Sequence, residues 1–163
     1  MGWSGAKWGA VVEANTPQTL LGAYEHTIDD KNRLTLPAKF RESFAQGTVV
    51  LTRGLDGCLE VFRGADWARR VESRLAPMDP LSKETRRHQR FVFSGASESE
   101  LDKQGRVMIP APLLKHAQLS RDVVVTGMRD HLEIWDREAW SRELAEVEGS
   151  ADDVAERLAT KSD

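Results

Sequence analysis

The sequence predicts a mainly β fold with peripheral α-helices, in which two copies of one module combine into a single β-barrel. The first observation behind this prediction is an internal repeat, because residues 22–69 return as residues 95–142 with 13 identities in 48 aligned pairs. The second is an alternation of apolar and polar residues in several short segments, which is typical of half-buried strands. Four short strands per copy are too few to close a stable barrel, so we expect the two copies to interleave.

Each copy begins with a predicted β-hairpin. Residues 24–28 and 33–36 alternate apolar and polar side chains, and a three-residue loop separates them. Such a loop commonly places its last residue in the left-handed backbone conformation, which favours Gly or Asn. Asn32 fills this position in copy one and Gly105 fills it in copy two. The residues that flank the loop are also repeated, as Asp29 and Arg33 in copy one and as Asp102 and Arg106 in copy two.

The remainder of each copy is predicted to contain a short helix, two strands and a second helix. In copy one these segments are residues 38–45, 49–52 and 58–62, and a helix that starts near Asp66 and stops at Pro77. In copy two they are residues 110–118, 123–126 and 131–135, and a helix that starts at Asp136. Aspartate is a favoured N-cap residue, and apolar residues spaced by four would give each second helix one packing face.

The repeat and the segment between its copies divide the chain into five predicted regions. Asp79 and Pro80 are expected to open a linker helix that reaches about Phe93, and a polar helical segment is expected after Gly149. The regions are an N-terminal extension, 1–18, predicted to be disordered; module one, 22–66; a helical linker, 67–94; module two, 95–138; and an acidic helical tail, 139–163.

The net charge of −3 conceals an uneven distribution along the chain. Residues 136–163 carry nine acidic and four basic side chains, a net of −5, so the other 135 residues have a net charge of +2. Positive charge is concentrated in residues 29–41 and 102–115, which contain the repeated loops, and in residues 82–93 between the copies. A basic face beside an acidic tail is compatible with a nucleic-acid partner.

Cysteine content and hydropathy exclude several protein classes. The single Cys58 cannot form an internal disulfide or a zinc cluster of paired cysteines. No apolar run approaches the roughly 20 residues that span a bilayer. The first eighteen residues have the pattern of neither a signal peptide nor an anchor. We therefore expect a cytoplasmic protein.

The repeated segments closely resemble the MraZ family. The residues that carry the resemblance are 22–41 in copy one, 95–106 in copy two with the same Asp-x-x-x-Arg signature, and 86–91 in the linker. The similarity extends from about Leu20 to Trp140, which is most of the chain. MraZ proteins are bacterial transcriptional regulators associated with the division and cell-wall gene cluster.

The resemblance implies a fold, a partner and a set of site residues. It implies two swapped-hairpin modules of the SpoVT-AbrB type, which pair within one chain as a pseudo-dimeric β-barrel. It also implies ring-shaped homo-oligomers that bind repeated short boxes of double-stranded DNA upstream of their own operon. The family's motif arginine corresponds to Arg33 and Arg106, its aspartate to Asp29 and Asp102, and its lysine to Lys31 alone, because copy two has Gln104 there.

The residue types at the loops suit DNA recognition. An arginine offers two parallel donors that match the O6 and N7 acceptors of guanine, and a two-stranded ribbon is slim enough to enter the major groove. Because Lys31 is replaced by Gln104 in copy two, copy one is expected to dominate DNA contact. The alternative for Asp29 and Arg33 is a structural clasp across the base of the hairpin. We expect the two roles to combine, with the aspartate orienting the arginine and the arginine presenting its outer donors to DNA. The predicted DNA-binding residues are Lys31, Asn32, Arg33, Lys39, Arg41, Arg53 and Arg106, with Asp29, Asp102 and Gly105 as structural motif residues.

An enzyme is not expected from this sequence. The repeated aspartates could form a carboxylate dyad that shares a proton, but the arginine four residues after each one would keep it ionised. The four histidines lack metal-ligand spacing such as His-x-x-x-His, so neither a metal site nor a cofactor is predicted.

The competing function is a non-catalytic oligomeric protein-interaction scaffold. In such a protein the basic linker residues Arg86, Arg87 and Arg90 would contact an acidic patch on a neighbouring subunit. Trp67 and Trp140 occupy matching positions of the repeat. They are predicted to anchor helices and are also candidates for contacts between subunits. Assembly without DNA binding would distinguish this scaffold from the regulator.

Overall fold

The computed structural model describes residues 18–161, so the predicted N-terminal extension lies outside the described part of the chain except for its last residue. Helices account for 46% of the structure and strands for 26%. The fold is therefore mixed α and β, and the prediction of a mainly β fold was wrong. The difference arises because the linker and the C-terminal segment contribute long helices to a set of short strands.

Eight strands and five α-helices make up the regular structure of residues 18–161. The strands are β1 Ala23–Thr27, β2 Arg33–Thr35, β3 Val49–Arg53, β4 Leu59–Arg63, β5 Ser97–Ser99, β6 Arg106–Met108, β7 Asp122–Gly127 and β8 Leu132–Asp136. The α-helices are α1 Ala38–Phe44, α2 Gly64–Arg70, α3 Lys83–Gly95, α4 Ala111–His116 and α5 Arg137–Lys161. A 3₁₀ turn, Leu55–Gly57, joins β3 to β4, and α2 continues as a π-helical turn, Val71–Leu75.

The two copies exchange strands within one chain. Six strands form one antiparallel sheet in the order β1-β7-β8-β4-β3-β5, and β2 pairs with β6 in a separate two-stranded ribbon. The first strand of each copy therefore pairs with the third strand of the other, since β1 pairs with β7 and β5 pairs with β3. Glu60 lies opposite Glu133, and Leu34 lies opposite Val107. Both are pairs of equivalent positions, so a pseudo-two-fold axis passes through them.

The six-stranded sheet is not closed into the predicted β-barrel. Its edges are β1 and β5, and the β2–β6 ribbon forms a separate sheet. The predicted hairpins are not paired along their length either. β1 and β2 share a tight loop, but within the described residues they are bridged only at Ile28 and Leu34. Each strand has a better partner in the other copy, as β1 runs beside β7 for its full length of five residues.

Apolar residues of both copies share one hydrophobic core. Leu34 and Val107 are fully buried where the ribbon crosses the axis. Strands β3 and β7 carry consecutive buried residues, as strands covered on both faces do. Burying one such side chain contributes about 1.5–3 kcal/mol. Because the core draws on both copies, neither copy could bury its apolar surface alone.

Two helices begin at residues other than those predicted. α2 begins at Gly64, and Asp66 lies buried in its first turn. Its carboxylate forms ion pairs with Arg63 and Arg69 and does not cap the helix. α3 begins after Ser82, whose hydroxyl oxygen accepts the backbone N–H of Thr85 at 3.3 Å. Asp79 instead closes the preceding turn, because its carboxylate accepts a backbone N–H two residues ahead at 3.0 Å.

The start of α5 agrees with the prediction. The carboxylate of Asp136 accepts the backbone N–H of Ala139 at 3.1 Å, which caps the helix. α5 then continues through Gly149 to Lys161, so the second helix of copy two and the predicted tail form one helix. None of the helices in the described part of the chain combines the length and the apolarity that crossing a bilayer requires.

Replacing Leu34 with alanine is expected to lower the free energy of unfolding by about 2–5 kcal/mol, because the lost side chain is fully buried and leaves a cavity. The matched control is Leu81→Ala, whose side chain is 86% exposed. This control is expected to change stability by less than about 0.5 kcal/mol. Urea denaturation followed by circular dichroism measures both effects. Equal losses would contradict the central position of the ribbon in the core.

Candidate nucleic-acid interface

Two tight loops precede the ribbon strands, loop one (residues 29–33) and loop two (residues 102–106). Asn32 and Gly105 have φ angles of 62° and 77°, which confirms the predicted left-handed residue in each loop. In loop one the backbone N–H of Asp29 donates to the carbonyl of Arg33 at 2.9 Å, and that of Asn32 donates to the carbonyl of Asp29 at 3.0 Å. The same two bonds, with the same lengths, close loop two.

The aspartate of each loop accepts three hydrogen bonds. In loop one, Oδ1 of Asp29 accepts the backbone N–H groups of Lys31 and Arg33, both at 2.9 Å. Its Oδ2 accepts Nε–H of Arg33 at 2.8 Å. Asp102 makes the equivalent bonds in loop two, at 2.9, 2.9 and 2.7 Å. The aspartate and arginine therefore form a clasp in both copies.

The pKa of each clasp aspartate lies below its usual value. For Asp29 the largest cause is the hydrogen bond from the backbone N–H of Arg33, and the guanidinium adds to it. The pKa of Asp102 is lowered in the same way by Arg106. Both carboxylates are therefore ionised at neutral pH, which rules out the shared proton that a carboxylate dyad would need.

The clasp leaves part of each guanidinium available. Nε is bound by the aspartate, so the two terminal nitrogens remain as donors. One terminal nitrogen of Arg106 donates to Oε1 of Gln104 at 2.9 Å. Among residues 18–161 the structure records no protein acceptor for the terminal nitrogens of Arg33, whose side chain is 27% exposed.

The ribbon brings the two arginines onto one surface. Leu34 and Val107 face the core, and side chains alternate along a strand, so their neighbours face outward. Arg33 lies opposite Met108, and Arg106 lies opposite Thr35. The arginines are thus diagonal neighbours, which lie about 7–8 Å apart in such a pair, with their Cβ atoms somewhat closer. We call this surface the ribbon face; it consists of Arg33, Thr35, Arg106 and Met108.

The ribbon face was not predicted, because the two loops were expected to be the tips of separate hairpins. Thr35 and Met108 were not among the predicted site residues, although Met108 is well exposed. The alternation around Leu34 and Val107 could have placed them on the outer side of their strands. What it could not supply is the pairing of β2 with β6, which joins the two copies.

The two loops also hold each other in place. The backbone N–H of Leu36 donates to the carbonyl of Gly105 at 3.0 Å, and that of Ile109 donates to the carbonyl of Asn32 at 2.9 Å. Each left-handed residue thereby receives a bond from the other copy. As a result, the position of one arginine depends on the geometry of the other loop.

The charges of the two loops do not favour copy one. Asp30 of loop one corresponds to Lys103 in loop two, so loop two has a positive charge at this position that offsets the neutral Gln104 at the next. Each loop therefore has two basic residues, and the net charge is 0 in loop one and +1 in loop two. The expectation that copy one dominates DNA contact has no electrostatic basis.

Arg41 lies beneath loop two. Its Nε and one terminal nitrogen donate to the carbonyl of Leu36 at 3.2 and 3.0 Å. A Cβ atom placed on Gly105 would lie 2.3 Å from Cδ of Arg41. The close approach explains why this loop position has glycine rather than the asparagine of copy one.

The other two predicted DNA-binding residues outside the loops differ in exposure. Arg53 is half-buried, and one of its terminal nitrogens donates to the carbonyl of Phe91 at 2.8 Å and to the hydroxyl of Ser94 at 3.0 Å. These bonds attach β3 to α3. Lys39 is exposed on α1, with its Nζ 6.0 Å from the ring centroid of Tyr24.

The residues predicted at a subunit interface are partly used within the chain. The Trp67 ring packs against Phe62 and Phe93, with centroid distances of 5.4 and 6.2 Å. The rings of Trp135 and Trp140 lie 5.7 Å apart.

Arg86 is likewise engaged within the chain, because one of its terminal nitrogens donates to the carbonyls of Pro80 and Leu81 at 2.8 and 2.9 Å. Arg87 and Arg90 are exposed on α3. A role for these linker residues between subunits stays a prediction.

Comparison with known proteins identifies close relatives. The family model of the MraZ protein, whose description adds "antitoxin-like", matches residues 19–91 and again residues 92–162. The transcriptional regulator MraZ of Heliobacterium modesticaldum is 46% identical over 138 residues, which cover 85% of this chain and 95% of that protein. Those of Thermoanaerobacter sp. strain X514 and Caldicellulosiruptor saccharolyticus are 42% and 41% identical over 139 residues, covering 85% of this chain and 96% of each relative.

The pKa values of Asp29 and Asp102 are expected to lie below the ordinary value of 3.8 when measured by NMR titration of their carboxyl carbons. A lowered pKa stabilises the clasp at pH above the unfolded-state pKa, and this contribution is lost as the pH falls through the folded-state pKa. The loops should therefore stay closed at neutral pH and open only in acid. Asp29→Asn removes one titration and serves as its assignment control. A value at or above 3.8 would contradict the clasp.

Gly105→Ala is expected to destabilise the protein more than Gly47→Ala. Both glycines have positive φ angles, 77° and 92°, so alanine carries the left-handed cost of about 1–2 kcal/mol at each. Only the new methyl group at position 105 would displace Arg41, since Gly47 has open space around it. Chemical denaturation of the two variants measures the difference. Equal losses would show that Arg41 moves aside without cost.

Proposed function

The chain belongs to the MraZ family, and on that premise we propose that it is a sequence-specific DNA-binding regulator of transcription. The relatives described above are named transcriptional regulators, which is not a class of enzyme. The observation that carries the proposal is the placement of Arg33 and Arg106 on one ribbon face, each held by an aspartate. The proposed function requires no catalytic residue and no cofactor.

The ribbon face would enter the major groove of double-stranded DNA, which accommodates a two-stranded ribbon. The two terminal nitrogens of each arginine form a fork that suits O6 and N7 of guanine. Because the aspartate already holds Nε, the side chain loses less conformational entropy when it binds. One bidentate contact of this kind contributes about 1–3 kcal/mol of discrimination against a wrong base.

Exposed residues around the ribbon face would contact the DNA backbone. Lys31 and Asn32 at loop one, Lys103 at loop two and Lys39 on α1 are all exposed. Phosphate contacts position a protein without reading sequence. Arg41 and Arg53 would act indirectly in this proposal, because their guanidinium groups brace loop two and α3.

Homo-oligomerisation would multiply these contacts. α5 exposes Leu144, Val147 and Val154 at spacings that place them on one side of the helix, where a second copy could cover them. A ring of chains would present several ribbon faces to repeated DNA boxes, and linked sites raise the effective concentration for each further contact. We therefore propose a ring-shaped homo-oligomer that acts in the cytoplasm, at the nucleoid, on boxes upstream of the division and cell-wall gene cluster.

Arg33→Ala and Arg106→Ala are each expected to weaken binding to the chain's own upstream DNA by about tenfold or more, because each removes one base-reading fork. The two losses should be similar, since both arginines lie on the same ribbon face. An electrophoretic mobility shift assay at fixed salt measures binding. In the wild type the logarithm of the binding constant should fall with the logarithm of salt by about 0.9 per neutralised phosphate.

The matched control is Arg142→Ala, which removes an exposed arginine from α5. This variant should bind DNA as the wild type does. Size-exclusion chromatography of all variants reports whether the oligomer is intact. Unchanged DNA binding by both ribbon variants would contradict the proposed role of the ribbon face. Loss of assembly together with unchanged DNA binding would favour the protein-interaction scaffold.

A further inference from the structure

A cluster of metal-ligating side chains lies at the pseudo-two-fold axis, away from the ribbon. Strands β4 and β8 pair with Glu60 opposite Glu133, and His131 lies two residues before Glu133 on the same face of the sheet. One donor atom from each of these three residues lies within 4.8 Å of the other two. Oε2 of Glu60 and Nε2 of His131 are 3.2 Å apart.

Among residues 18–161, the counter-charges beside the two glutamates are Arg70 and, when it is protonated, the imidazole of His131. Like charges directly opposite each other across an antiparallel pair destabilise it. Both glutamates are half-buried, so water screens them incompletely. Arg70 lies near Glu60, but its closest terminal nitrogen is 3.8 Å away. One neutral donor to Glu133 is Nε1–H of Trp135, which donates to its Oε1 at 3.0 Å.

The surroundings orient the three side chains as those of a metal site are oriented. Nδ1 of His131 lies 2.8 Å from Oδ1 of Asp130, which leaves Nε2 directed toward Glu60. A carboxylate bound to the other ring nitrogen is the usual outer partner of a metal-ligating histidine. The imidazole is also stacked on Phe62, with a centroid distance of 5.0 Å and an interplanar angle of 17°. The hydrogen bond from Nε1–H of Trp135 likewise orients the carboxylate of Glu133.

We propose that Glu60, His131 and Glu133 form a binding site for a zinc-class divalent cation. Imidazole together with carboxylates suits zinc and its neighbours in the transition series better than magnesium or calcium. Ligands 2.0–2.1 Å from a tetrahedral zinc ion lie about 3.3 Å apart, close to the separation of the Glu60 and His131 donors. The cluster lines a cavity of about 300 Å³ between the sheet and helices α2 and α3, which leaves room for a water as fourth ligand.

Such an ion would act as a staple between the two copies. Glu60 belongs to copy one, whereas His131 and Glu133 belong to copy two, and β4 and β8 are the strands through which the two halves of the sheet meet. The divalent charge would neutralise the opposed carboxylates. None of the three ligand residues belongs to the ribbon face, so the site is independent of the proposed DNA contacts.

Calorimetric titration of the chelator-treated chain of 163 residues with ZnCl₂ tests the proposal. The wild type should bind one equivalent per chain, and its melting temperature should rise by several degrees, because an ion that binds the folded state stabilises it. Glu133→Gln keeps the size of the side chain and the stacked imidazole, and it should weaken zinc binding at least about tenfold, which corresponds to about 1.4 kcal/mol. His131→Gln should abolish saturable binding.

The controls carry the same substitutions elsewhere in the sheet. Glu25→Gln and His26→Gln change exposed or half-buried residues of the edge strand β1 and should leave zinc binding unchanged. Should His131→Gln fail to fold, Glu60→Gln replaces it, since it removes a ligand without disturbing the stacked ring. Absence of saturable binding by the wild type, or equal binding by the wild type and Glu133→Gln, would overturn the proposal. Mobility shifts of the metal-free protein report on the DNA contacts separately.

Discussion

The exchange of hydrogen bonds between the two loops is the constraint on which the rest of the structure depends. The left-handed residues Asn32 and Gly105 turn their carbonyls toward the other copy, where Ile109 and Leu36 donate to them. Because each loop is completed by the opposite copy, neither copy can set the path of its ribbon strand alone. The same arrangement places β2 beside β6 and buries Leu34 and Val107 of these strands, while β1 and β5 pair with strands of the opposite copy.

The same constraint determines what the candidate site can do. A clasp within one loop would orient one arginine at one hairpin tip. With the loops interlocked, two clasped arginines are fixed relative to each other on the ribbon face, at a spacing set by strand geometry rather than by side-chain flexibility. A pair of forks at a fixed spacing can read two bases in a fixed register, whereas two independent tips could not. The clasp is therefore compatible with the DNA-reading role that we propose for Arg33.

Local features of the fold and the interleaving of the two copies could be predicted from the sequence, but the individual strand pairs could not. The left-handed positions follow from the steric freedom of glycine and asparagine, and the extents of β3 and β4 follow from apolar runs between turn residues. These signals say which residues are extended and which side is buried. They do not say which strand lies alongside, so β1 was expected beside β2 but pairs with β7. For the same reason the cluster of Glu60, His131 and Glu133 could not be recognised from ligand spacing, because its members come from two copies.

A duplicated chain that pairs with itself has a further physical consequence at its pseudo-two-fold axis. There each residue meets its own equivalent, so the chemistry of a single position is doubled. An apolar position gains from this, as Leu34 and Val107 fill the centre of the core together. A carboxylate position does not, and Glu60 opposite Glu133 is a repulsive contact that the repeat itself creates. The copies differ beside that contact, where His131 replaces Cys58, so an imidazole is available on one side alone. The proposed cation site depends on this asymmetry, because it adds one imidazole to the two opposed carboxylates.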